Sequence, residues 1–146
     1  MTRYEHAQTG HVIIWSLLVV IALVAINGTF HSSSHRGNLL IPCGILLVAL
    51  ALFYKLTISI DGEVLCASLG AGLIRKKVQL ADIARCEPIR WWYGWGIHLT
   101  PYGWLYNVSG LDAVAITLQN GKRFALGTDD PHGLVAAIRD AINKRG

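Results

Sequence analysis

The sequence predicts a membrane-anchored α+β chain: a two-helix transmembrane hairpin, then about seven antiparallel strands forming a barrel or sandwich, then a C-terminal capping helix. Three observations predict it. Up to residue 55 the charged side chains are Arg3, Glu5, Arg36 and Lys55, whereas residues 56–146 carry ten Lys/Arg and eight Asp/Glu. After Lys55 long apolar runs give way to short alternating ones separated by turn residues. The last segment has the four-residue apolar spacing of an amphipathic helix. The chain is 53% hydrophobic and 15% charged, well short of the roughly one-quarter charge of soluble domains, and the shortfall lies in the first 55 residues.

VIIWSLLVVIALVAINGTF, residues 12–30, is uncharged. At about 1.5 Å per residue it covers roughly the 30 Å hydrocarbon thickness of a bilayer. LLIPCGILLVALALFY, residues 39–54, is slightly short, and Lys55 with a snorkelling head and Leu56 beyond it extend the predicted second helix. Pro42 falls in its first turn, where a missing N–H does least harm. The linker HSSSHRGN is too short for a domain, so the helices, about 12–30 and 39–55, form an antiparallel hairpin with both chain ends on one side. Trp15 and Phe53-Tyr54 then share one interface, as an aromatic belt requires. Arg75-Lys76-Lys77, shortly after the second helix, orients both ends toward the cytoplasm. The rival is a cleaved signal peptide ending near Asn27, but Ala25-Ile26-Asn27 is a poor small-x-small site.

Residues 56–146 read as one domain. LTISI, Asp61-Gly62 and EVLCASL form a hairpin about a type I′ turn, and AVAITLQ, Asn120-Gly121 and KRFALGT repeat the device. GLIRKKVQL and DIARCEPI supply two more strands. Thr100-Pro101-Tyr102-Gly103 suits a type I turn between residues 97–100 and 104–108. In DDPHGLVAAIRDAINKRG, Asp130 can cap, Pro131 suits the first helical position, and Leu134, Ile138 and Ile142 share one face.

These residues resemble a known family. About seven strands and a terminal helix are similar to the pleckstrin-homology-like (PH-like) barrel. The run from LTISIDGE through LADIARCEPI, GWGIHLTPYGWLYNVSG and NGKRFALGTDDP resembles small bacterial membrane proteins with a PH-like domain behind a transmembrane hairpin. The resemblance implies a bacterial cytoplasmic-membrane location and no particular activity, and no catalytic residue is carried over from it.

No motif organises a reaction. Gly70-Ala71-Gly72 lacks a third glycine and lies among strands, so no dinucleotide site follows. No G-x-S-x-G elbow is present. The cysteines 43, 66 and 86 have no C-x-x-C spacing and read as free thiols. His31 and His35 sit in a serine-rich linker, across the predicted membrane from His6 and His11, so they predict no metal site. Neither His98 nor His132 has a cysteine or carboxylate at ligand spacing. The expectation is a protein that is not an enzyme and needs no cofactor; its minor rival is a membrane enzyme with a polar pocket between hairpin and domain. The net charge of +4 is interspersed and forms no nucleic-acid face.

Binding candidates remain. The Asp61-Gly62-Glu63 turn is acidic where phosphoinositide-binding PH domains are basic. Arg75, Lys76 and Lys77 form the one basic run, which anionic lipid could attract; equally, charge on an edge strand protects it, with Arg75 and Lys77 on one face and Lys76 on the other. Residues 90–110 hold four of the five tryptophans. Within them Trp104, Tyr106 and Val108 alternate as a barrel wall would. Arg90, Trp91, Trp92, Tyr93 and Trp95 are the candidate surface for membrane or partner. The partners expected are the lipid bilayer and a protein partner or second copy of the chain.

Overall fold

The computed structural model describes residues 2–30, 36–92, 96–108 and 110–145, and the side chains of 4–30, 40–92, 96–108 and 110–145. The chain begins with a strand, β1 (Thr2–Thr9), which runs into helix α1 (His11–Phe30). Helix α2 (Arg36–Phe53) packs on α1 and leads through Tyr54 into β2 (Lys55–Asp61). β3 (Val64–Leu69) and β4 (Ile74–Gln79) follow, then one 3-10 turn at Leu80–Asp82. β5 (Ile83–Arg90), β6 (Gly96–Thr100), β7 (Gly103–Asn107), β8 (Asp112–Leu118) and β9 (Arg123–Gly127) precede helix α3 (Pro131–Asn143).

The strands make two sheets, ordered β1-β2-β3-β4 and β5-β8-β9-β7-β6. All pairings are antiparallel except β7 with β9, which is parallel. The predicted barrel of about seven strands is thus corrected to two open sheets with nine strands among the described residues. Eight of the nine fall on segments that the sequence marks as strands, and the ninth is β1, in the segment expected to be a tail. Its register Thr9↔Lys55 to Thr2↔Asp61 makes the helical pair an insertion between two neighbouring strands. The inward-facing positions of β1 are Tyr4, His6 and Gln8, so the aliphatic alternation that marks a strand is missing.

The second helix is also corrected. It ends at Phe53, and Leu56 lies 1% exposed in the core as part of β2. Tyr54 makes the bend, and its carbonyl accepts from the N–H of Gly10 at 2.8 Å. Among the described residues one helix, α1, is long and apolar enough to cross a membrane; the apolar part of α2, Leu40–Phe53, is shorter. Within α1 Ile13 is the one buried residue, while Trp15, Val19, Leu23, Ile26 and Phe30 project freely. A helix apolar all round and uncovered by protein requires an apolar solvent or another apolar surface.

Both Gly-containing hairpins form, with turns other than expected. Asp61 pairs with Val64, so the central residues are Gly62 and Glu63. Gly62 alone has positive φ, the pattern of a type II′ turn. In the second hairpin the N–H of Gly121 donates to the Leu118 carbonyl at 3.0 Å, and Gly121 has φ +85°. That is a type I turn closed by a left-handed glycine. The Thr100–Gly103 turn is pinned by its threonine, whose hydroxyl donates to the Gly103 carbonyl and accepts from the Tyr102 N–H.

The core lies between the sheets. Leu56, Ile58, Ile60, Leu65 and Leu69 meet Val114, Ile116, Phe124 and Leu126, and Leu134 and Ile138 of α3 fill one side. At the start of α3 the Asp130 carboxylate accepts from the Gly133 N–H at 3.0 Å, with Pro131 in the first turn. α3 packs against β1, β5 and β8. His6 of β1 meets Asp129 just before α3, and Tyr4 stacks on His6 with centroids 6.3 Å apart. Burial, and then the nearby carboxylates of Asp130 and Asp129, push the Tyr4 hydroxyl above its ordinary pKa. A second, smaller core of Leu105, Ala113 and Ala125 lies on the other face of the five-stranded sheet, against Ile89 and Trp91.

Candidate functional site

The helices leave from one end of the sandwich. Because β2 starts where α2 stops, Thr9, Lys55, Leu69 and Ile74 stand at the helix end of their sheet and Asp61, Val64 and Gln79 at the far end. The other sheet is placed by close contacts: a Cβ on Gly10 would lie 2.8 Å from the Val108 carbonyl oxygen, and one on Gly96 would lie 3.9 Å from the Phe53 ring. Trp91–Trp92, Gly96, Val108 and Leu111 therefore belong to the helix end.

The backbone there is tightly fitted. Gly70 has φ +61°, its N–H donates to the Lys55 carbonyl at 2.7 Å, and a Cβ on it would stand 2.2 Å from the Ala51 carbonyl oxygen. Only glycine suits a left-handed position that close to a helix terminus. The β3–β4 turn is thereby pressed against the last turn of α2, and Leu73, its last residue before β4, is 71% exposed.

The aromatic candidates separate here. Trp91 folds onto the small residues Ala113 and Ala125, meets Tyr102 edge-on at 6.2 Å, and its backbone N–H donates to the Leu111 carbonyl. Trp92, one residue on, is 78% exposed. Tyr93 and Trp95 lie outside the described residues. Arg90 is exposed at the end of β5, in register with Asp112. Trp104 is corrected from barrel wall to surface: it is half exposed, and on β7 Leu105 and Asn107 are the buried side chains while Tyr106 is partly covered.

The basic run also divides. β4 is an outer strand of its sheet. Arg75 is exposed beside the β3–β4 turn and donates from Nε to the Gly72 carbonyl at 2.7 Å. Lys76 faces inward, with Nζ 5.4 Å from the centre of the Phe124 ring, a cation–π distance. Lys77 is exposed further from the helices. At about 3.3 Å per residue it stands roughly 10 Å above the start of its strand. Arg75 and the two lysines therefore serve different surroundings.

Between α1, α2 and the start of β6 runs a groove of about 390 Å³, lined by Ile13, Leu17, Phe53, Ile97 and Ser16. The Ser16 hydroxyl is spent on the Val12 carbonyl one helical turn back. The polar pocket that a site between hairpin and domain requires is not found among the described residues. No group of three or more His, Cys, Asp or Glu side chains able to hold a metal is found among them either. Cys86 is buried, and burial pushes its thiol pKa up against the opposing effect of Arg139. Compared with known proteins, the chain matches no family model, no curated protein and no solved structure.

Proposed function

We propose that this chain is a non-catalytic membrane protein of the bacterial cytoplasmic membrane, with both helices crossing the bilayer and a PH-like cytoplasmic domain that lies on the membrane surface by its helix end. The observation that carries the reading is the gathering of Leu73, Leu111 and Trp92, all exposed, at the end from which uncovered apolar helices leave. Exposed apolar groups next to a membrane anchor reach the interfacial layer at no cost in water-exposed surface, and tryptophan favours that layer. The pairing of β1 with β2 supports two crossings, since it holds the start of α1 and the end of α2 on one side. All eighteen residues of α2 extend roughly 27 Å, near the hydrocarbon thickness.

Arg75 and Arg90 at this end favour anionic lipid, at about 1 kcal/mol per well-placed charge. An anionic-headgroup sensor built on the whole basic strand is less favoured, because Lys76 is engaged with Phe124 and Lys77 stands away from the helices. The test is tryptophan quenching by brominated lipids, with the full chain in bilayer nanodiscs. Trp92→Phe is expected to remove a lipid-quenched component, and added salt to change it little. A Trp92 component indifferent to brominated lipid overturns the surface contact and leaves a protein partner as the binding role.

A further inference from the structure

The side of the sandwich opposite α3 is open. Ile116, Phe124, Trp104 and Leu99 are register partners across β8, β9, β7 and β6, on the face turned toward the core. Their exposure rises in that order, 0%, 3%, 52% and 69%. The four-stranded sheet covers this row as far as Phe124, where Lys76 of β4 sits above the ring. Beyond it Trp104 and Leu99 form an uncovered apolar shelf.

As an outer strand, β4 turns half of its backbone groups away from β3, toward this open side. Beside it lies a cleft of about 330 Å³, where Lys76 and Lys77 of β4 meet Lys122 of the β8–β9 turn over Val78 and Leu118, with Asp82 as the one carboxylate. Protecting an edge from aggregation needs charge on the edge strand alone. Lys122 comes from the other sheet and faces the same cleft, which protection does not require.

We infer that β4 and this cleft take an extended acidic peptide as an added strand. A peptide backbone completes the free β4 edge. Its side chains alternate, so carboxylates on one face reach the exposed Lys77 and Lys122 ammonium groups, while apolar residues on the other lie toward Trp104 and Leu99. A small free anion uses the lysines and leaves both the edge and the shelf empty, which favours the peptide. The inference rests on the non-catalytic binding role proposed above but not on contact with the bilayer.

The test uses the full chain in detergent micelles and the anisotropy of a fluorescein-labelled peptide alternating glutamate and valine. Binding is expected, and replacing its glutamates by glutamine, or alternate residues by proline, weakens it about tenfold or more. The double variant Lys77→Glu, Lys122→Glu and the variant Leu99→Glu each weaken it to a similar extent, whereas Lys144→Glu on α3 has no effect. All four positions are exposed, so folding is preserved. Absence of binding overturns the inference. So does a proline-containing peptide that binds equally well, or displacement by inorganic phosphate at matched ionic strength, which marks a small-anion site. Peptide binding without lipid quenching of Trp92 removes the surface contact alone; quenching without peptide binding removes this site alone.

Discussion

The helix end and the open side of the sandwich both expose large apolar side chains, but on different foundations. At the helix end, Trp92 and Leu73 project from segments held by close backbone contacts: Gly70 against the α2 carbonyls, Gly10 against Tyr54 and Val108. On the open side, Trp104 and Leu99 continue a core row past the point where the facing sheet stops. The first arrangement fixes how a surface is aimed, and the second leaves a surface uncovered. Exposed apolar area is informative only together with the backbone beneath it.

The largest effect is expected where the helix end is tightest. Gly70→Val places a branched side chain at positive φ against the Ala51 carbonyl, and a loss of about 3 kcal/mol or more follows. Thermal unfolding of the detergent-solubilised chain measures it; an unchanged midpoint means that the domain is not seated on α2. Next come the adjacent tryptophans. Trp91→Ala opens the small core over Ala113 and Ala125 and costs about 2–3 kcal/mol, whereas Trp92→Ala, at a side chain 78% exposed, costs less and alters the lipid response. Equal losses of stability erase the distinction between the two side chains.

On the side closed by α3, Asp130→Ala removes the cap on Gly133 and costs about 1 kcal/mol, read in denaturant unfolding at constant slope. The smallest effect concerns the docking of β1. Burial raises the Tyr4 pKa above that of the unfolded chain, so folding favours its protonated form. That contribution is fully present below the unfolded value, about 10, and is lost as pH rises through the folded one. Tyr4→Phe is therefore expected to flatten the alkaline decline of stability, and a tyrosine absorbance titration of wild type should show one late-ionising group. Coincident ionisation of all tyrosines contradicts a buried Tyr4.

Much of this architecture is legible in the residues. The α1 span, both Gly hairpins, the threonine-pinned turn and the whole of α3 follow from local chemistry: uncharged length, glycine at positive φ, a cap followed by proline. What was not legible depends on distant partners. β1 is built from Tyr4, His6 and Gln8 and acquires its role from β2, beyond two helices. Leu56 reads equally as a last helical residue or a first strand residue, and the pairing with Leu69 decides it. The tight seat of Gly70 needs the α2 carbonyls, and the separation of Trp91 from Trp92 needs the alanines of β8 and β9. Lys76 and Lys77 read as one basic run with Arg75 because periodicity assigns faces within a strand and does not say what lies opposite each face.

The insertion of the helical pair between β1 and β2 has a consequence for biogenesis. β1 is synthesised before β2, with both helices between them, so its pairing is among the most non-local closures in the fold and carries a large loop-closure cost. Until α1 and α2 are in place, β2 presents an open edge able to pair with another chain. Docking of β1 on β2 closes that edge, so an accessible β2 edge marks a chain whose first strand and helical pair have not come together.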